Sequence, residues 1–223
     1  IALITGGAQG LGLAIAKRLL SENYRVYVSD INEENISNQK IQFSTTPFKD
    51  DIFFDKIDVT IFTQTKNWIE QIHAKEKHID VLINNAGLYI PSRLLDEEQS
   101  IFDQHMQVNV YAAYYLSKVF GKQMRERKSG HIINICSIAS INPVVSAGSY
   151  SVTKFALLGL TKALREELMP HRVKVTAVLP GATLTDSWAG TTLPEDRFVN
   201  PEDVASAIIN CLQMTAGANV DEI

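Results

Sequence analysis

The chain of 223 residues is poor in cysteine, with only Cys136 and Cys211, which stand in no metal-binding spacing. That excludes a disulfide framework and a zinc ribbon, and two reduced, structural thiols in a cytoplasmic compartment are expected. Excess positive charge is missing too. Lys plus Arg number 21 against 25 Asp plus Glu, a net charge of −4, whereas a surface for nucleic acid or anionic lipid needs clustered cations. No apolar run reaches the roughly 18 residues that span a bilayer, so no membrane segment is expected. The opening IALITGG has no charged segment ahead of an apolar one and reads as no secretory signal. Repeats and low-complexity tracts are absent, and no cluster suggests a metal. The abrupt ends, a strand at the start and GANVDEI at the close, read as a fold entered inside its first strand and left before its C-terminal tail.

What is present is 45% hydrophobic residues in an alternating arrangement, enough for one large core. Short β-branched runs at 1–5, 25–30, 51–59, 79–85, 131–137 and 173–180 read as strands, and 219–223 as the start of a seventh. Helical patterns lie near 10–22, 61–76, 98–127, 148–169 and 201–213. Strands apolar on both faces and separated by helices predict a parallel sheet covered on both sides. The expected fold is a single-domain α/β, Rossmann-like, doubly wound sheet over 1–223, of about seven strands in the order 3-2-1-4-5-6-7. Residues 31–50 read as surface helix and loop, and 185–200 as a substrate lid within the same domain.

Thr5-Gly6-Gly7-Ala8-Gln9-Gly10-Leu11-Gly12 joins the first strand to the first helix. A glycine turn opening a helix presents free N–H groups and the positive dipole end to a pyrophosphate. Gly6, Gln9, Gly10, Leu11 and Gly12 are therefore expected to bind a dinucleotide. The second strand ends in Asp30, placed to accept from both ribose hydroxyls and to repel a 2′-phosphate. No Lys or Arg stands at Gln9, Ile31 or Asn32, so NAD is favoured over NADP.

With these motifs the chain resembles the common type of short-chain dehydrogenases/reductases over nearly its whole length. Thr5–Gly12 matches the family's TGxxxGxG, Asp58-Val59 its adenine-contacting pair, and Asn84-Asn85-Ala86-Gly87 its NNAG element. Pro180-Gly181 matches the turn beside the nicotinamide. Asn109, Ser137, Tyr150 and Lys154 fall where the family places its catalytic residues. The resemblance implies that Asp58, Val59, Asn85, Gly87, Tyr150, Lys154, Pro180, Gly181, Thr183 and Thr185 contact the cofactor. Thr183 departs from the family's usual aliphatic residue.

Chemistry supports these positions. Tyr150 and Lys154 are i and i+4, hence on one side of a helix. A phenol is a poor base at neutral pH, and a neighbouring ammonium favours its phenolate. Ser137 ends a strand, with no GxSxG elbow or histidine partner to make it a hydrolase nucleophile. Asn109 falls on the helix stripe of Phe102, Met106, Ala113, Leu116, Phe120 and Met124, where a buried amide needs partners. It supports a water leading to Lys154, as the resemblance implies, or serves as an internal structural amide, and the two roles are compatible. The histidines at 73, 78, 105, 131 and 171 read as structural or solvated. Tyr89, Ile90, Val144 and Trp188 are expected to line a substrate pocket with Ser137 and Tyr150.

The expected reaction interconverts a secondary alcohol and a ketone with NAD(H), Tyr150 acting as acid and base. Two alternatives stand beside it: a nucleotide-binding sensor or scaffold without turnover, and an NADPH-dependent 3-oxoacyl thioester reductase. The resemblance also implies a homodimer or homotetramer packed through the two long helices, with Ala112, Tyr115, Val119, Phe155, Leu158 and Gly159 facing outward.

Overall fold

The computed structural model describes residues 1–185, 188 and 190–223, so Asp186, Ser187 and Ala189 of the expected lid lie outside the described residues. Six strands, β1 (Ala2–Thr5), β2 (Val26–Asp30), β3 (Ile52–Lys56), β4 (Val81–Asn84), β5 (His131–Ile135) and β6 (Lys174–Val178), form one sheet. All its pairings are parallel, in the order β3-β2-β1-β4-β5-β6.

Alternation along the strands sorts the core into two layers. Ala2 and Ile4 of β1 and Val26 and Val28 of β2 face α1 (Gly10–Ser21), α2 (Glu33–Ser44) and α7 (Pro201–Leu212). Leu3 and Tyr27 face the layer that holds α3 (Phe62–His73), α5 (Ala112–Arg127) and the end of α6 (Gly148–Leu168). Each large apolar side chain buried this way contributes about 1.5–3 kcal/mol relative to an exposed one. The polar segment 31–50 begins as α2, whose first N–H groups are capped by Asn32 Oδ1 accepting from Asn35 N–H at 3.0 Å.

The seventh strand does not form. Residues 219–223 run beside β6, with Ala177 N–H donating to Asp221 O at 3.0 Å and Ile223 N–H to Ala177 O at 2.9 Å. Only the single bridge Ala177–Glu222 results. Asp221, Glu222 and Ile223 are exposed, so the half-buried face that stabilises a strand is missing.

The helix predicted over 98–127 is interrupted. Its first part, α4 (Gln99–Met106), passes through a π turn at Gln107–Tyr111 into α5. The extra residue of a π turn displaces the buried stripe. His105, not Phe102 or Met106, is the buried residue of α4, while Ala113, Leu116, Phe120 and Met124 of α5 are buried as expected. Two residues assigned outward, Ala112 and Leu158, are buried within the chain; Tyr111, Tyr114, Val152 and Phe155 are exposed.

β1 leads outward on one side to β2 and β3 and abuts β4 on the other. The carboxyl ends of β1 and β4 therefore frame the crevice at which open α/β sheets bind ligands.

Candidate active site

The crevice is built on the glycine loop. Gly6 (φ +63°) and Gly10 (φ +53°) take the left-handed conformation that glycine adopts without strain. A Cβ on Gly12 would stand 2.4 Å from Gly6 O and 2.5 Å from Asn85 Nδ2. Asn85 Nδ2 donates to Thr5 O at 3.0 Å and to Gly6 O at 2.7 Å. In return, Thr5 Oγ1 accepts from the N–H groups of Asn85 at 3.2 Å and Ala86 at 3.0 Å. The ends of β1 and β4 are thus stitched together in both directions. α1 starts at Gln9 with no side-chain cap and no acid in its first turn, which leaves its N–H groups available to an anion.

A cleft of about 340 Å³ opens over this cradle, lined by Gly6, Gln9, Gly10, Leu11, Gly12, Asp30, Asp58, Val59, Asn85, Gly87 and Thr185. No described lysine or arginine lines it. Asp30 is 7% exposed. One of its oxygens accepts from Ala8 N–H and the other from Asn32 N–H, each at 3.0 Å. A carboxylate has about four acceptor sites, so both oxygens retain capacity for a sugar.

Pro180, Gly181 and Thr183 stand outside that lining. Pro180 O accepts from Ile138 N–H at 3.0 Å, which ties it to the segment after Ser137. Thr183 Oγ1 donates to Gly181 O at 3.1 Å.

Tyr150 and Lys154 lie one turn apart on α6, with Lys154 Nζ 5.6 Å from the centre of the Tyr150 ring. Lys154 is 4% exposed, and its Nζ donates to Ile135 O at 2.8 Å, at the end of β5. Two residues further on, Ser137 caps a short 3-10 turn at Ile138–Ser140, its Oγ accepting from Ala139 N–H at 3.1 Å. The hydroxyl hydrogen of Ser137 remains available to another acceptor.

Asn109 lies in the π turn and makes three hydrogen bonds. Its Oδ1 accepts from Leu88 N–H at 2.7 Å, and its Nδ2 donates to Leu88 O and to Thr153 Oγ1, both at 3.0 Å. Thr153 Oγ1 donates to Tyr150 O at 2.8 Å. The amide is therefore a structural clamp between the segment after β4 and the Tyr150 turn of α6. Gly87 lies beside this corner, where a Cβ would make only ordinary contact, 3.7 Å from Asn109 Oδ1 and 3.8 Å from Lys154 Nζ.

Of the expected substrate residues, Tyr89 meets Tyr150 edge to face, with ring centres 5.0 Å apart. Trp188 packs against Phe198 at 4.9 Å. Val144 lines a separate outer groove with Leu95, Val145 and Phe155, which Tyr150 does not line.

Sequence reasoning read His105 as structural or solvated and passed over Ser149 and Glu97. His105 is fully buried, its ring centre 6.1 Å from that of Tyr150. Burial pushes its imidazole below the ordinary histidine value, against the opposing pull of Glu97. Burial also disfavours the charge on Glu97, yet hydrogen bonds from Ser92 and Ser149 outweigh it and hold the carboxyl below its usual value. The available signal was the i, i+4 spacing of His105 and Asn109, which puts both on one helix face.

Residues 1–196 match the family model described as short chain dehydrogenase. The chain belongs to the short-chain dehydrogenase family. It is 31% identical over 223 residues to an uncharacterized oxidoreductase of Staphylococcus aureus (strain MW2), covering 100% of this chain and 95% of that protein. Among solved structures, ElxO with NADP bound superimposes with a TM-score of 0.87 at 28% identity, covering 100% of this chain and 96% of the other. A variant of ElxO with NADPH bound gives a TM-score of 0.90 at 26% identity, covering 100% and 95%. This short-chain dehydrogenase is an NAD(P)-dependent oxidoreductase with the Rossmann-like sheet of its family. No helix among the described residues is long and apolar enough to cross a membrane, and among them no three His, Cys, Asp or Glu side chains group to hold a metal.

Proposed function

We propose that the enzyme interconverts a secondary alcohol and a ketone, with Tyr150 exchanging the proton at the substrate oxygen. The observation that carries this reading is the convergence of Tyr150, Lys154 and the Ser137 turn at the carboxyl edge of β5, beside a glycine cradle. The cradle fits a dinucleotide: a side chain at Gly12 would fill it, and the uncapped start of α1 faces it. When bound, the nicotinamide would take up or supply the hydride.

The chain's own residues do the rest. Ser137 keeps a free hydroxyl hydrogen with which to hold the reacting oxygen. Tyr150 gives its proton to that oxygen in reduction and takes it back in oxidation. Lys154, anchored on Ile135 O, holds its ammonium 5.6 Å from the centre of the Tyr150 ring. Asn109 fixes the backbone at Leu88 and, through Thr153, at Tyr150, so the site keeps its spacing.

NAD(H) is the preferred cofactor in this reading, because Asp30 faces a cleft without a described cation to neutralise a 2′-phosphate. The NADP and NADPH bound to ElxO favour a second reading in which the phosphorylated coenzyme is used. Steady-state oxidation of NADH and NADPH with a panel of ketones, aldehydes and 3-oxoacyl thioesters tests both. Consumption of neither coenzyme with any carbonyl, despite binding, would leave a sensor as the function. A homodimer or homotetramer in the cytoplasm completes the proposal, with Tyr114, Val152 and Phe155 supplying exposed apolar surface on the two long helices.

A further inference from the structure

Behind Tyr150 lies a chain of polar groups that the proposed mechanism does not use. Ile90 N–H donates to His105 Nε2 at 3.0 Å, so the ring hydrogen must sit on Nδ1. Nδ1 then donates to Ser149 Oγ at 2.7 Å, and Ser149 Oγ in turn donates to Glu97 Oε2 at 3.0 Å. Every group in the line has one role, so its direction is fixed from the Ile90 amide to the Glu97 carboxylate. Ser149 is fully buried and cannot serve as a nucleophile, with its oxygen and its hydrogen both engaged.

The same carboxylate oxygen accepts from Ser149 N–H at 3.2 Å and Ser92 Oγ at 2.5 Å. It therefore places a negative charge at the amino end of α6, one residue before Tyr150. A second feature shows that this approach is built in. A Cβ on Gly148 would stand 2.7 Å from Glu97 Oε2 and 3.0 Å from Ser92 Oγ and from Leu94 N. A side chain there would displace the carboxylate from its present position against the helix. The chain holds three things in one frame: the Tyr89–Ser92 segment, α4, and the first turn of α6. Tyr150 sits in that frame, with Tyr89 edge-on at 5.0 Å and His105 at 6.1 Å.

We infer that Glu97 and His105, linked by Ser149, are positioning residues that set the ring of Tyr150 for proton exchange. This rests on the proposed role of Tyr150, and the test separates the two. The probes are ¹³C-labelled tyrosine ring signals, with Tyr150 assigned through Tyr150→Phe, and reduction of phenanthrenequinone, an uncharged diketone, with NADH or NADPH. Glu97→Ala and His105→Asn should each shift or broaden the Tyr150 signal. Each should also lower kcat by about ten- to a hundredfold, the scale of an ångström-level misplacement, with the coenzyme KM within about twofold. Glu97→Gln, which keeps an acceptor for Ser149, and His105→Gln, which can accept from Ile90 N–H, should retain more activity than Glu97→Ala and His105→Asn. An unmoved Tyr150 signal in folded Glu97→Ala and His105→Asn overturns the inference, as does a rise in coenzyme KM equal to the loss in kcat. If the wild-type enzyme reduces no carbonyl, the reading of the reaction fails while the ring signal still decides the positioning.

Discussion

Asn109 grips Leu88 at both ends of its peptide functionality, accepting from the N–H at 2.7 Å and donating to the carbonyl at 3.0 Å. A side-chain amide used in this way imitates a neighbouring strand, and it does so where β4 has already ended. The segment that carries Tyr89 is thereby tied to the helix layer with no sheet to support it. Replacing Asn109 with Ala should leave Leu88 N–H unpaired, at a cost of about 1–3 kcal/mol. Urea denaturation would report that loss, and amide hydrogen exchange should quicken first at Leu88. Exchange at Leu88 as slow as in the parent would contradict the clamp.

Tyr150→Phe keeps the ring against Tyr89 and removes only the hydroxyl. Turnover should drop by about 10²–10⁴-fold, the usual contribution of general acid–base catalysis. Coenzyme affinity, followed by fluorescence titration, should hold, because the glycine cradle and Asp30 are untouched. Turnover at the parent rate would remove Tyr150 from the reaction.

Asp30 offers a direct choice between coenzymes. Asp30→Ala should weaken NADH by about tenfold, through lost charged hydrogen bonds, while NADPH weakens less or gains. Calorimetric titration of both coenzymes against parent and variant measures this. Tighter binding of NADPH than NADH by the parent would reverse the preference proposed for this chain.

Stability should fall with acid in a defined window. His131 is buried, its Nε2 is 2.8 Å from Thr176 Oγ1, and burial pushes its pKa down to about 3. The unfolded chain therefore takes up a proton near the ordinary value of 6.5 while the folded chain does not. The neutral ring's stabilisation is complete above pH 6.5 and is lost progressively as pH falls from there toward about 3. His105, also lowered by burial, acts in the same direction. Glu97, held below its usual value, adds a loss that sets in only below the ordinary carboxylate pKa of 4.5. The urea midpoint measured from pH 7.5 to 4.5 should decline, and less steeply in a folded His131→Gln variant.

Tyr114, Val152 and Phe155 form an exposed apolar set on the outer helices. If these helices pack against a second copy, Phe155→Asp should shift the mass in light scattering toward the monomer with the fold unchanged. A monomeric parent at micromolar concentration would rule out the assembly.

Much of the site could be read from residue spacing because its geometry is local. Gly6, Gly10 and Gly12 sit at one strand-to-helix turn, and Tyr150 and Lys154 share one helical turn. Asp30 is legible because it ends the strand that follows the glycine turn and its helix. The polar chain behind Tyr150 was hidden, since it joins residues 90, 97, 105 and 149 from three segments. The burial of His105 was hidden for a different reason: a regular 3.6-residue period points Phe102 and Met106 inward, and the π turn changes this. The absent seventh strand is a failure of burial rather than of pattern, because 219–223 follows β6 closely but leaves Asp221, Glu222 and Ile223 exposed.

The π turn at Gln107–Tyr111 also sets which residue of α4 stands behind Tyr150. Each residue of an α-helix advances the chain by about 100°. Wound as a regular helix, the same residues would place Met106, seven before Ala113, on the buried face and bring its thioether toward the position now held by the His105 ring. Ile90 N–H and Ser149 Oγ would lose their partner without either being altered. The wider turn therefore decides that an imidazole, and not a thioether, stands behind Tyr150.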